Sequence, residues 1–325
     1  MKLIIQIPCL NEQETLPKTI ADLPKKIDGI DVVELLVVDD GSTDRTSEIA
    51  KQLGVQHLVR LTKRKGLAKA FYAGMDAALK AGADIIVNTD ADNQYKGEDI
   101  FRLVKPILEG RADIVIGNRD IEQVKQFTWL KKRLQRLGSW VVQHLAGSKI
   151  ADATTGFRAY NREAALRLNI ISDYTYTLES IIQAEYKNLA IENIMIVTNP
   201  VYRKSRLFKS MTEYIKRSVQ TLIRMYAMFN PFRLFCWSGF WMGFFGFLIG
   251  CRFLFWYLMG MGGGKIQSLI LAAVLILIGV QLFIIGIVAE LIASNRALIE
   301  DCLLRIKKME FAGLNQTRTG HDAKN

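Results

Sequence analysis

The sequence predicts a doubly wound α/β domain, followed by an amphipathic helix and a two-helix membrane hairpin. Three observations carry this. Short Val- and Ile-rich runs alternate with helical stretches up to about residue 201. A basic amphipathic stretch follows. Two segments near the C-terminus are then almost wholly apolar, each longer than the roughly 20 residues that cross ~30 Å of hydrocarbon.

The composition agrees. Of 325 residues, half are hydrophobic and 23% are charged, with a mean hydropathy of +0.13. A uniform soluble chain rarely combines these values, so a polar globular part joined to an apolar part is expected. With 6 Pro and 24 Gly, low-complexity disorder and collagen-like repeats are excluded. Cys9, Cys236, Cys251 and Cys302 are scattered without a C-x-x-C pair, so neither a zinc site nor a disulfide framework is indicated. His57, His144 and His321 show no ligand spacing. Leu3 to Pro8 is too short for a signal-peptide core, which places the N-terminal part in the cytosol.

Taken in order, Leu3–Ile7, Glu34–Val38, Asp84–Asn88 and Asp113–Ile116 read as strands buried on both faces of a parallel sheet. Arg45–Leu53, Gly66–Ala81 and Gly97–Glu109 read as the intervening helices. The domain is expected over 1–201. Trp129, Leu130, Leu134, Leu137 and Trp140 interleave with Lys131, Lys132, Arg133 and Arg136. This stretch is either an interfacial lid or a solvated face, and the tryptophans favour the lid. Residues 202–233 form the amphipathic juxtamembrane part, with Lys209, Lys216, Arg217 and Arg224 among apolar residues at helical spacing. The hairpin occupies 234–290, with spans at 234–259 and 269–289. Residues 291–325 form the tail, polar and loose beyond Gly313. Lys and Arg flank both spans on one side, while the connector carries only Lys265. Both ends are therefore expected in the cytoplasm, on a multi-pass inner-membrane protein.

In doubly wound sheets, ligands bind beyond the carboxyl ends of the strands. Three polar clusters fall there: Pro8-Cys9-Leu10-Asn11-Glu12, Asp39-Asp40-Gly41-Ser42-Thr43-Asp44 and Asp90-Ala91-Asp92-Asn93-Gln94. Asp90 and Asp92, spaced i and i+2, can face one cation with Gln94 beside them. Such hard oxygen ligands suit Mg²⁺ or Mn²⁺, with phosphate oxygens completing the shell. A lone D-x-D is as readily a turn. Its place after an apolar strand, in register with Asp39-Asp40, favours the cation. Ser42 or Thr43 is expected to cap the following helix.

Pro8-x-x-Asn11-Glu12, Asp39-Asp40-Gly41-Ser42-x-Asp44, Asp90-x-Asp92-x-Gln94, Gly117-Asn118-Arg119 and Asp152-x-x-Thr155-Gly156-Phe157-Arg158-x-Tyr160 stand in this order. Together they resemble family 2 glycosyltransferases of the polyprenyl-phosphate class, such as dolichol-phosphate mannose synthases and undecaprenyl-phosphate glucosyltransferases. The resemblance covers roughly the first two thirds of the chain. It implies a GT-A fold, a nucleotide-sugar donor, Mg²⁺ or Mn²⁺, and a polyprenyl-phosphate acceptor. Pro8, Asn11, Glu12 and Asp40 would line the nucleotide pocket, with Asp39 close by. Asp90, Asp92 and Gln94 would hold the metal, and Arg119 would meet phosphate oxygens. Asp152 to Arg158 would form the sugar and acceptor side. Asp152 reads equally as a base, a helix cap or the salt-bridge partner of Arg158. Many members carry Gly-x-Ser-Lys before the membrane helices. Here Arg203-Lys204-Ser205-Arg206-Leu207 stands instead, and Arg203, Arg206 and Lys209 form the expected cationic band for the acceptor phosphate. The resemblance implies an inverting hexosyltransferase, with a UDP-glucose-like donor favoured and GDP-mannose as the alternative. A processive polysaccharide synthase would need Gln-x-x-Arg-Trp and further membrane helices, and neither is found. The +11 charge clusters around the membrane segments, where anionic lipid and topology explain it, so a nucleic-acid partner is not expected. Self-association is left open.

Overall fold

A computed structural model describes residues 1–119, 152–171, 175–199, 211–260 and 266–322. The chain divides into two compact units, 1–222 with 304–325, and 223–303.

In the first unit, β1 (Lys2–Cys9), β2 (Val32–Asp39), β3 (His57–Arg60), β4 (Ile85–Asn88), β5 (Ile114–Arg119), β6 (Arg158–Asn161) and β7 (Ile191–Ile196) form one sheet. Its order is β3-β2-β1-β4-β6-β5-β7. All neighbours are parallel except β6, which runs antiparallel to both β4 and β5. The sheet is therefore mixed rather than purely parallel. The strand order reverses between β1 and β4, the switch point where a crevice opens.

Strand alternation sorts the core into two faces. Leu3, Ile5 and Ile7 of β1 join Val37, Ile85, Val87 and Val115 under α4 (Asp99–Leu108). On the other face Gln6 and Val38 meet α3 (Leu67–Lys80). There a Cβ on Gly74 would stand 2.5 Å from Gln6 Oε1 and 2.9 Å from Val38 Cγ2. Only glycine lets the helix lie that close. The remaining helices of this part are α1 (Leu16–Asp22), α2 (Thr46–Gln52), α5 (Arg162–Arg167) and α6 (Tyr176–Tyr186).

Helix α7 spans Met211–Phe229, within the expected amphipathic stretch. In the second unit, α8 (Pro231–Leu258) and the first part of α9 (Ile266–Asp322) are each long and apolar enough to cross a membrane. Only 11% and 17% of their most apolar stretches are buried, unlike the core helices of a soluble domain. They meet through small residues: a Cβ on Gly239 would stand 2.7 Å from Gly279 O, and one on Gly246 2.9 Å from Ala272 O. Large side chains such as Trp237, Phe240, Leu277 and Ile284 face outward. Helix α9 does not stop near 289 but continues through the polar tail to Asp322. Within the first unit its later part carries Lys308, paired with Glu163 at 2.8 Å, and Lys307, which donates to Asn169 Oδ1 at 2.9 Å.

Candidate active site

The carboxyl ends of β1, β2, β4 and β5 bring the polar clusters to one edge. Pro8 lies beyond the end of the β1–β4 pairing, at Gln6 and Asn88, so its missing N–H breaks no bond to β4. Asn11 adopts φ +56 and accepts from Thr43 N at 2.8 Å, while its own N–H donates to Ser42 Oγ at 2.9 Å. The loops after β1 and β2 are thus laced together. Glu12 donates its N–H to Thr46 Oγ1, and its carboxylate accepts from Thr15 Oγ1 at 2.6 Å.

Asp39 is fully buried, accepting from Ser42 N at 2.7 Å and from the Ser47 hydroxyl. Asp40 accepts from Lys65 N at 2.7 Å and Gly66 N at 2.9 Å, pinning the loop that enters α3. The adjacent acids brace the pocket's walls through backbone N–H groups. Ser42 and Thr43 do not cap α2, because the helix begins only at Thr46. The cap position falls on Arg45, whose side chain makes no capping bond, and Asp44 just before it accepts from Thr46 N at 3.0 Å.

Asp90 and Asp92 leave β4 into a turn rather than an extended segment. Gln94 N donates to Asp92 Oδ1 at 3.1 Å across Asn93, which stands at φ +54. The Asp90 carboxyl is pushed up to about 7, first by burial and next by the charge of Asp92, with Arg119 and a hydrogen bond from Tyr95 opposing. Two acids confined this way call for a cation. Among the described residues no three His, Cys, Asp or Glu side chains form a metal cage. Two adjacent carboxylates could supply two of the oxygen ligands of a hard divalent ion, the rest coming from elsewhere.

Arg119 ends β5. Its Nε donates to Asp152 Oδ2 at 2.7 Å and its Nη2 to Thr154 Oγ1 at 3.1 Å. The other Asp152 oxygen accepts from Thr154 N and from Thr154 Oγ1 at 2.8 Å. Burial, the largest single cause, would raise the Asp152 carboxyl, but the Arg119 charge and the hydrogen bonds from Arg119 and Thr154 together outweigh it and the net shift is downward. The salt-bridge partner of Asp152 is thus Arg119, not Arg158. Its carboxylate is held ionised and engaged, which suits orienting Arg119 better than taking a proton.

Arg158 is fully buried, with no edge presented to the crevice. It donates to Thr155 O and Ala153 O at 2.9 Å, and to Thr177 O and Ser180 Oγ at 2.8 Å. It shapes the loop from Asp152 to Phe157 instead of offering a donor to a substrate. The sequence singles out neither Tyr95 nor Tyr176, while Asn88 opens the polar run that ends at Gln94 and Thr154 lies within the segment 152–158. Gly156, Thr155 and Tyr160 stood inside a quoted motif, but nothing local marks Tyr176. Arg203, Arg206, Lys209, the stretch 131–136 with Trp129 and Trp140, and the connector 261–265 lie outside the described residues.

Residues 4–168 match the Glycosyl transferase family 2 pattern. A polyprenol monophosphomannose synthase of Mycolicibacterium smegmatis is 32% identical over 174 residues, 51% of this chain and 64% of that protein. An undecaprenyl-phosphate mannosyltransferase of Micrococcus luteus is 32% identical over 184 residues, 54% of this chain and 74% of that one. Among solved structures, the glucosyl-3-phosphoglycerate synthase of Mycobacterium tuberculosis, in complex with Mn²⁺, UDP-glucose and phosphoglyceric acid, superposes with a TM-score of 0.55. It is 22% identical and covers 70% of this chain and 80% of that one, a likeness of fold.

Proposed function

The chain belongs to glycosyl transferase family 2, and from that premise we propose that it is a membrane-bound inverting enzyme which moves a sugar from a nucleotide-diphosphate sugar to a polyprenyl phosphate. The observation that carries this is the cluster at the switch point: the half-buried acids Asp90 and Asp92 share one electrostatic environment with Arg119. That pattern suits a diphosphate leaving group with its cation.

Asp90 and Asp92, joined by Gln94, hold Mg²⁺ or Mn²⁺. When bound, the ion supplies charge neutralisation for the departing diphosphate. Arg119, fixed by Asp152, adds hydrogen bonds to those phosphate oxygens as negative charge develops. Pro8, Asn11, Glu12, Asp39 and Asp40 form the nucleotide wall. The acceptor phosphate attacks the anomeric carbon directly and inverts it. Its second pKa is about 6, as for a phosphate monoester, so it is largely ionised at neutral pH and positioning matters more than a strong base. Arg203, Arg206 and Lys209 clamp that phosphate, and the hairpin anchors the enzyme where its acceptor resides, with both termini cytoplasmic.

Radiolabelled nucleotide sugars supplied with membranes and polyprenyl phosphate test the reading. Label is expected in the organic phase with one donor, UDP-glucose being tried first. GDP-mannose stands second and is favoured by the two mannose-transferring relatives. Label confined to the aqueous phase with every donor would overturn the lipid acceptor.

A further inference from the structure

Behind the Asp90 carboxylate lies a buried polar chain that the mechanism above does not use. It begins at Gln6 of β1, whose Nε2 donates to Asn88 Oδ1 at 2.9 Å. That contact fixes the Asn88 amide, so its Nδ2 must point the other way. It donates to Gly156 O at 2.7 Å and to the Tyr176 hydroxyl at 2.9 Å. The hydroxyl in turn donates to Gly156 O at 3.4 Å. Two donors, from β4 and the start of α6, thus close on the carbonyl of the loop before β6, with Gln6 of β1 holding one of them from behind. The Tyr176 ring is fully buried and stacked on Phe71, with centroids 3.8 Å apart and planes 4° from parallel. The phenol is held in place from both ends.

Gly156 is where this chain meets the site. A Cβ there would stand 2.8 Å from the Tyr176 oxygen, 3.0 Å from Asp90 Oδ1 and 3.3 Å from Asp90 Oδ2. The Asp90 carboxylate therefore rests directly against the Gly156 backbone. Residue 156 has no side chain to spare for separating them. Register supports the same juxtaposition, since Asn88 is paired with Arg158 across β4 and β6. Whatever moves the Gly156 peptide moves the surface that backs Asp90.

We propose that Tyr176 is a positioning residue: its hydroxyl, together with the Asn88 amide, holds the Gly156 backbone against Asp90 and so aims that carboxylate at the donor's cation. The inference rests on reading Asp90 as a cation ligand. Partners that orient metal-binding groups typically affect affinity or activity by about 10- to 100-fold, and a single neutral hydrogen bond belongs at the lower end.

The test uses the full-length protein in neutral detergent, with Mn²⁺ affinity measured by titration and turnover measured separately. Tyr176→Phe keeps the stacked ring and removes only the hydroxyl. It is expected to weaken Mn²⁺ binding about tenfold and lower kcat, with KM for the lipid acceptor unchanged. Gly156→Ala is expected to be worse, because its methyl meets both the phenol and the carboxylate. Adding Tyr176→Phe to Gly156→Ala should restore part of the loss, since the nearest clashing atom is then gone. A purely structural tyrosine predicts additive losses and Mn²⁺ affinity equal to the parent's. Asp90→Asn separates the two readings. If it binds Mn²⁺ like the parent, the cation-ligand reading is wrong. If it loses Mn²⁺ while Tyr176→Phe stays within twofold of the parent, the positioning role is wrong. Should Tyr176→Phe fail to fold, the Asn88→Ser variant removes the other donor to Gly156 O and must show the same tenfold loss.

Discussion

Lowering the pH from 7.0 to 5.5 should weaken binding of the divalent cation about fifteenfold. The magnitude follows from Asp90, whose carboxyl is raised from 3.8 to about 7 by burial first and by Asp92 second. Below that value the group is protonated, so each ion that binds must displace a proton. Apparent affinity drops about tenfold per pH unit only well below that value; with half the sites already protonated at pH 7, the 1.5 units give about fifteenfold. An ordinary carboxylate near 3.9 would change affinity less than about twofold over the same range. Mn²⁺ alone, titrated calorimetrically in buffers of different ionisation enthalpy, reads the released proton: about one per ion at pH 5.5 and about half at pH 7. Asp92→Asn removes the second cause of the shift, so its residual binding should show a shallower pH dependence. Arg119→Gln removes an opposing charge and should move the transition upward. The stability of the metal-free protein carries the same signature. Because the folded pKa is raised, the Asp90 contribution is fully present below about pH 4 and is lost as pH rises through about 7. Affinity that stays flat from pH 5.5 to 7 would refute the argument.

Asp152→Asn leaves the Arg119 guanidinium buried without its carboxylate, the two side chains being 10% and 0% exposed. The loss should be about 3–5 kcal/mol, read as a fall in Tm of roughly 10 °C for a domain of this size. An unchanged Tm would show that the pair does not matter to stability. The Asp152 contribution, its pKa being lowered, is present above its unfolded value of 3.8 and lost as pH falls through the lower folded value. Arg203→Ala combined with Arg206→Ala should raise the acceptor KM about ten- to a hundredfold and leave the donor KM alone. An acceptor KM unchanged in neutral detergent would reduce these arginines to a topology signal. A single cysteine at position 263 should be labelled from outside intact cells, and labelling only after permeabilisation would contradict the hairpin's orientation.

Much of this was legible before any coordinates. β1, β2, β4 and β5 follow from Val- and Ile-rich runs, and α8 and α9 from unbroken apolar length. Local composition decides both, since a strand buried on two faces and a helix in hydrocarbon must be apolar throughout. Asp90 and Asp92 were marked by their place just after such a strand, whereas Arg119, past the expected strand end at Ile116, was marked only by the family resemblance. Strand β6 was not, because four residues with a charged and a polar member, Arg158 to Asn161, carry no strand pattern. The neighbours on either side create that strand. The end of α9 escaped for a similar reason: a polar tail carries little helical signal, and its continuation to Asp322 was not marked by composition.

What the sequence determined by itself is the list of chemically capable residues and the edge of the sheet on which they lie. Strand direction and strand ends depend on near neighbours in the chain. What only the tertiary structure decided is which of them face one another. Asp152 could pair with Arg158, six residues on, or with Arg119, 33 residues back. The fold gives it Arg119 and turns Arg158 inward onto carbonyls of its own loop and α6. Tyr176 reaches Asn88 across 88 positions of chain, a contact with no local signature. Hydrogen bonds and ion pairs act over about 3 Å of space, and distance along the chain says nothing about that separation until the sheet order has brought the strands together.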